Sequence, residues 1–576
     1  EISACLVGSE MCIRDSRTVK LWQLISGRCL ATLEGHAGTV HSLCLAGNGR
    51  QILSASADAT LALWTVPGDQ VAPYMLSRVL ASDTVLTAWT DYERALALAR
   101  QALAAGQSVR AAHYLREARS QPGHGRHPEA MSLWSQLYVR LPRQSFQGGW
   151  GGATCSEHGE AVTSVCLSAD GRLALSGSAD RTLKLWEPAG GRCLHTFEGD
   201  MGGVTSVCLS ADGRLALSSS TDSTLKLWDV SDGHCLRTCR EDLDVLTSVA
   251  LSADGRLGVS GSTDGTVHLW DVAGGRLLRV LRGHTGPVHS VAVSMDGRLA
   301  LSGSALFVVR NDGERLFTCG QLKLWETATG HCLPIFENRA DAVTALSLSV
   351  DGRYALTGGG QSIIQRDNGR FVQSGQIDLW ELSSGQRLRT FAGHRGAVTS
   401  VCLSADGRYA LSGSTDATVR LWEVAGGQCL RTFAGHADAV TSVTFSADGR
   451  YALSGSADRT LKLWVLDWEL ADAAPADWDE GARPYLEMFL SRHTPYAIGP
   501  PERVRSPLSR LFKSAPPEDE ISRALTRQGQ PVWTENDFQA LLHTLGHAGY
   551  GWLRPPGIRR QLTHMSRQAK GTSGEK

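Results

Sequence analysis

Short apolar stretches of four to six residues recur along most of the chain, each set off by a polar turn. The unit is clearest from Ala161 to Glu187, AVTSVCLSADGRLALSGSADRTLKLWE, followed by GGRCLHTF from Gly190 to Phe197. It reads as four strands. The Asp-Gly pairs are hairpin signals, and the strands mix alternation with continuous apolar runs, as sheets covered on both faces do. The third strand of each unit ends on a tryptophan, at Trp186, Trp228, Trp270, Trp325, Trp380, Trp422 and Trp464. The intervals are 42, 42, 55, 55, 42 and 42 residues. Trp22 and Trp64 form an earlier pair, again 42 residues apart. A four-stranded unit of this size cannot bury both faces alone, so it must stack on copies of itself. A stack that closes into a ring leaves only short, protected edges.

Three features keep their phase in these units: Gly-His before the first strand, Asp in the turn after the second, and Trp at the end of the third. In this the chain resembles the WD-repeat β-propeller family, over residues 17–66 and about 150–466. The resemblance implies a mainly β fold, with the seven later units as the blades of one propeller. It also implies a structural hydrogen-bond relay of His, Ser or Thr, Asp and Trp inside a blade. Carried over by position, the relay is His158, Ser176, Asp180 and Trp186 in one unit. In two others it is His394, Ser412, Asp416 and Trp422, and His436, Ser454, Asp458 and Trp464. The same residue types invite a Ser-His-Asp hydrolase reading. Recurrence once per blade, with no oxyanion-hole motif, speaks against it. Asp200, Asp242 and Arg339 replace the His in three units, and the two long units lack the turn Asp, so weaker relays are expected there.

The last unit has no fourth strand after Trp464, because VLDWEL runs on without a Gly-Gly turn. The segment Trp150–Cys155 aligns with the outer-strand segment Arg389–Phe391 and is expected to supply it, joining the ends of the ring. The resulting plan has five parts. Residues 146–466 are the seven-bladed propeller, and 17–66 are the last blades of a truncated N-terminal one. Residues 67–145 are a helical linker, in which Tyr92, Ala95, Leu96, Ala99 and Leu103 follow helical spacing and Gly106 ends the helix. The linker resembles a tetratricopeptide hairpin and is read as a spacer between propellers. Residues 467–576 are a helical C-terminal region with a Pro-rich linker (basic at Arg503, Arg505, Arg510 and Lys513), a helix opened by Thr534 and Asp537, and a disordered end.

Residues 1–16 fit none of this. Leu6–Asp15, LVGSEMCIRD, back-translates in one frame to a transposase-based sequencing adapter (CTC GTG GGC TCG GAG ATG TGT ATA AGA GAC), so residues 1–16 are set aside as adapter-derived. The expectation is an N-terminally truncated chain. The chain has 576 residues, 42% hydrophobic and 20% charged, with a net charge of −1. Without Glu1, Glu10, Arg14 and Asp15 the net charge becomes −1 + 2 = +1. This balance excludes a disordered chain, a collagen and a coiled coil, and argues against a nucleic-acid partner. No run of 18 apolar residues offers a membrane span.

No Walker A loop, HExxH, GxSxG, EF-hand or kinase catalytic signature occurs, so no catalytic residue, cofactor or metal is assigned. The cysteines follow the repeat without a Cys-x-x-Cys pair, which suits small apolar filler in a reducing, cytoplasmic setting. Seven Asp-Gly-Arg turns place Arg172, Arg214, Arg256, Arg298, Arg353, Arg408 and Arg450 on one face. Pairing of these arginines with the acid after each Trp is preferred to an anion-binding crown. The best functional candidates are the two adjacent 13-residue insertions, Ala305–Gln321 and Gly358–Gln376. Both read as hairpins protruding roughly 20 Å from the face that holds the His loops. Phe307, Val309, Arg310 and Phe317 in the first, and Ile364, Arg366 and Phe371 in the second, are apolar or basic enough to take a partner. Met201, Leu243 and Arg395 lie on neighbouring loops. The expected function is a non-enzymatic protein–protein interaction scaffold. The alternative is the non-catalytic C-terminal part of a larger bacterial signalling enzyme, such as a serine/threonine protein kinase.

Overall fold

The computed structural model describes residues 4–572, except 8–9, 16–17, 24–27, 35–39, 46–50, 57–60, 66–81, 123, 169–170, 200–201, 211–212, 241–243, 310–314, 334–341, 364–371, 496–520 and 523–524. Side chains are described from Thr87 onward, apart from those residues and 306–319, 361–374 and 568–572. The chain divides into two compact units, Glu1–Leu137 and Tyr138–Lys576.

The first unit opens with a four-stranded antiparallel sheet, Ala4–Val7, Glu10–Asp15, Thr18–Gln23 and Arg28–Glu34, followed by a three-stranded one over 40–65. The stretch set aside as adapter-derived is thus paired here, Glu10–Asp15 against Thr18–Gln23. An unfilled strand edge accepts an extended segment through main-chain groups whatever its side chains. Three helices follow: α1 (Ser82–Ala104), α2 (Ser108–Ser120) and α3 (Pro128–Gln136). Gly106, at φ 71°, makes the turn between the first two. Ala95, Leu96 and Ala99 of α1 are buried with Ala111, Ala112 and Leu115 of α2 and Trp134 of α3. The alanines among them let helix backbones approach closely.

The second unit holds seven four-stranded antiparallel sheets. Blades 1 to 6 span 162–197, 204–240, 246–282, 288–333, 345–394 and 398–433. Blade 7 takes three strands from 440–470 and its fourth from Arg143–Cys155, which pairs with Leu461–Leu470. Each first strand neighbours the next blade's first strand, and that of blade 7 neighbours that of blade 1, so the ring is closed. The closing strand is longer than expected, starting at Arg143 instead of Trp150. The apolar pattern past Trp464 explains this, since Leu466, Trp468 and Leu470 are all buried and the third strand of blade 7 continues to Leu470.

The closure is built from a Thr-Ser-Val sequence in the first strands. In blade 1, Thr163 Oγ1 donates to the Val204 carbonyl of blade 2 (2.8 Å), and Ser164 Oγ accepts from Val207 N–H (3.1 Å). The seam between blades 7 and 1 repeats both bonds, through Thr441 to the Val162 carbonyl (2.6 Å) and Val165 N–H to Ser442 Oγ (3.1 Å). A glycine in the second strand makes room for the neighbour. A Cβ on Gly177 would lie 2.5 Å from Val204 Cγ1, and one on Gly303 would lie 2.4 Å from Val343 Cγ1. Each Trp fills the seam on its other side; Trp186 is buried against Leu453 and Leu461 of blade 7. Burying one such ring removes roughly 200 Å² from water, on the order of 5 kcal/mol at about 25 cal/mol per Å².

The C-terminal region packs on this ring. Helices α4 (Arg483–His493), α5 (Glu535–Leu545) and α6 (Pro555–Thr572) share a core of Leu486, Phe489, Phe538, Leu541, Ile558 and Leu562, and Val350 of blade 5 packs against it. Thr534 and Asp537 cap α5 reciprocally. Helix α6 runs to Thr572, and its apolar face, Ile558 and Leu562, closes this core. The basic cluster Arg503, Arg505, Arg510 and Lys513 lies outside the described residues.

Candidate protein-interaction faces

Inside each blade a chain of polar groups runs outward from the tryptophan. Trp186 Nε1–H donates to Ser176 Oγ (2.8 Å), which meets His158 Nε2 (2.7 Å), and His158 Nδ1 meets Asp180 Oδ2 (2.8 Å). A carboxylate can only accept, so Nδ1 carries the imidazole proton and Nε2 accepts a hydrogen bond from the serine hydroxyl. Burial lowers the His158 pKa against the pull of Asp180. Burial also pushes the Asp180 carboxyl up, but bonds from Thr182, His158 and Gly159 N–H outweigh it and hold the pKa at about 2. Blades 6 and 7 repeat the arrangement. Trp422, Ser412, His394 and Asp416 are joined at 2.8, 2.7 and 2.9 Å, and Trp464, Ser454, His436 and Asp458 at 2.9, 2.8 and 2.9 Å. The serine hydroxyl is held on both sides and nearly inaccessible, which leaves no room for an attacked substrate.

The remaining blades vary the theme. Trp228 and Trp270 still donate to Ser218 and Ser260 (2.9 Å each). In blade 4, which lacks the turn Asp, the relay stops at the histidine, whose Nδ1 is buried with no hydrogen-bond partner. His284 Nε2 meets Ser302 Oγ at 2.6 Å, and Gln321 Oε1 accepts from Thr285 N–H (3.1 Å), the bond that Asp180 makes to Gly159 N–H in blade 1. An amide oxygen from the insertion thus replaces the carboxylate at the loop N–H and not at the histidine. Blade 5 uses Thr357, with Trp380 at 3.1 Å, and carries a buried carboxylate, Asp378, that accepts from Thr390 Oγ1 (2.5 Å).

The two ends of the ring differ. At the Asp-Gly-Arg end, the C-terminal region covers blades 3 to 6. Arg492 donates to the Ala253 carbonyl (3.3 Å), Arg527 to Asp254 (3.2 Å), Ser491 to Asp296 (2.8 Å) and Tyr485 to the Ala405 carbonyl (3.2 Å). Arg143 at the start of the closing strand forms a fully buried ion pair with Asp406 of blade 6 (2.7 Å), and it also donates to the His547 carbonyl beyond α5 (3.3 Å). The turn aspartates are therefore docking acceptors. The turn arginines of blades 5 to 7 lie over the ring of the next residue, Arg353 on Tyr354, Arg408 on Tyr409 and Arg450 on Tyr451; in blades 5 and 6 this replaces the expected pairing with Glu381 and Glu423, and in blade 7 Val465 follows the Trp.

At the opposite end sit the loops that carry the relay histidines. Arg395 is exposed there, its N–H bonded to Asp416 (2.9 Å). The backbones of both insertions form hairpins, paired to Val309↔Arg315 in blade 4 and Ile363↔Val372 in blade 5. The side chains of Phe307, Val309, Phe317 and the whole of Arg310, Ile364, Arg366, Phe371, Met201 and Leu243 lie outside the described residues. Among the described residues no group of three or more His, Cys, Asp or Glu could hold a metal ion, and no helix is long and apolar enough to cross a membrane.

Seven stretches match the family of the WD domain, G-beta repeat: 27–65, 152–187, 191–229, 233–271, 275–325, 385–423 and 427–465. One of these precedes the ring. Blade 5, with its Thr357, its insertion and no relay His, is not among the matched stretches. The chain carries WD40 repeats, and six of its seven blades are matched. It is 27% identical over 202 residues to nuclear distribution protein PAC1-2 of Uncinocarpus reesii, covering 34% of this chain and 40% of that protein. It is 31% identical over 97 residues to autophagy-related protein 16 of Arabidopsis thaliana (16% of each). It is 24% identical over 181 residues to mitochondrial division protein 1 of Neurospora crassa, covering 31% of this chain and 20% of that protein. The chain thus spans less than half the length of the curated relatives it matches.

Proposed function

We propose that this chain is a non-enzymatic scaffold that binds a protein partner through the loop end of its ring, at the crest formed by the two hairpins and Arg395. The observation that carries the reading is the asymmetry of the ring: its own C-terminal region occupies the Asp-Gly-Arg end across blades 3 to 6. The loop end is where blades 4 and 5 extend two strands past the others. Rigid scaffolds carry their recognition on such loops. The relatives are eukaryotic proteins named for nuclear distribution, autophagy and mitochondrial division, names that agree with a scaffold and lend no support to a kinase or to a bacterial source. A cytoplasmic setting fits free cysteines that are phased with the repeat. Trimming both hairpins to ordinary turns should abolish partner capture while leaving the melting temperature of the ring unchanged. Capture that survives the trimming would refute the assignment.

A further inference from the structure

The outer flank of the ring carries the same surface more than once, and in one place the chain shows how that surface is filled. Between blades 3 and 4, Leu525 of the C-terminal region packs into an apolar cluster with Leu257, Leu269, Leu278 and Val293. Three residues earlier, Ser522, whose carbonyl accepts from Thr526 N–H (2.9 Å), accepts at Oγ from Arg279 Nη2 (3.1 Å). Arg279 is itself aimed by the next blade, its Nη1 donating to the Thr329 carbonyl (2.6 Å).

The repeat places the same groove between blades 5 and 6. Tyr354, Leu379, Leu388 and Leu403 stand at the positions of Leu257, Leu269, Leu278 and Val293, and Arg389 at that of Arg279. Arg389 Nη1 donates to the Gly426 carbonyl (3.1 Å), the counterpart of Thr329, so the guanidinium is aimed the same way. The groove has a volume of about 360 Å³, and Leu388 is 48% exposed at its edge. A cleft of this size takes one large side chain and the turn that bears it, where the blade 3–4 counterpart already holds Leu525.

We propose that the groove between blades 5 and 6 binds a short helical segment of a partner protein that presents a leucine three residues after a small hydroxyl side chain, as Ser522 and Leu525 do within this chain. The leucine enters beside Leu388 and Tyr354, and the hydroxyl accepts from Arg389. This site lies on the flank of the ring and does not depend on the hairpin crest.

The probe is a fluorescein-labelled peptide copying residues 518–528, EDEISRALTRQ, titrated against the full chain and followed by anisotropy. Saturable binding is expected, weakened at least tenfold (about 1.4 kcal/mol) by Leu388→Asp in the chain and equally by Leu525→Ala in the peptide. Leu236→Asp, which alters the exposed leucine at the same position of blade 2 (44% exposed), should leave binding unchanged, as should trimming the hairpins. Should Leu388→Asp lower the melting temperature, Leu388→Ser and Arg389→Gln give the same reading on a folded ring. The proposal is overturned by the absence of saturation up to about 1 mM peptide, or by binding that Leu388 variants leave intact, which would place the peptide at the blade 3–4 groove or elsewhere.

Discussion

At the scale of single residues, the three complete relays are buried polar groups paired from end to end. Ser412→Ala would strand both Trp422 Nε1–H and His394 Nε2, so a loss of about 1–3 kcal/mol is expected, measured by chemical denaturation. Acid should act through the histidines. Burial lowers both His268 and His284 to about 4, first by desolvation and, for His284, next by Lys323. The unfolded chain therefore binds these protons near its ordinary value of 6.5 and the folded chain only near 4. Their contribution is complete above pH 6.5 and is lost as the pH falls to 4. The apparent unfolding midpoint should drop across that window, and His284→Gln should flatten part of the drop. A flat profile would contradict the assignment. The relay was legible because each His, Ser, Asp and Trp recurs at fixed spacing. Gln321 was not, because it sits four residues before Trp325, where Asp180 sits six before Trp186, and it is not a carboxylate.

At the scale of elements, closure of the ring depends on one strand from the far end of the sequence. The chain pattern located its C-terminal half, because Thr154 and Cys155 align with the outer strands and the last unit lacks its own. The N-terminal half was hidden. Its anchor, Arg143, finds Asp406 only in three dimensions, and no local pattern records a pair so distant. The ion pair is buried on both sides, so removing one member leaves an uncompensated charge. Arg143→Ala should cost about 3–5 kcal/mol, whereas Glu535→Ala, which breaks the exposed pair with Arg559, should leave stability nearly unchanged. Equal effects would remove Arg143 from its place at the seam.

At the scale of the whole molecule, one end of the ring is covered by its own chain. That arrangement left a trace in the sequence that repeat counting passes over. The Asp-Gly-Arg turns read Ala-Asp-Gly-Arg in blades 1, 2, 3, 6 and 7, but Met295 and Val350 take the Ala position in blades 4 and 5. Those two side chains meet Met488 and Phe489 of α4 around a cavity of about 70 Å³. Val350→Asp should loosen the cap, seen as faster amide exchange over 483–493 with the ring amides unchanged. The central claim is that partner binding belongs to the loop end. It is tested most directly by measuring partner affinity for the intact chain and for a chain with both hairpins trimmed, at matched melting temperature. Affinity should fall by at least about tenfold in the trimmed chain; equal affinity in the two would contradict the account.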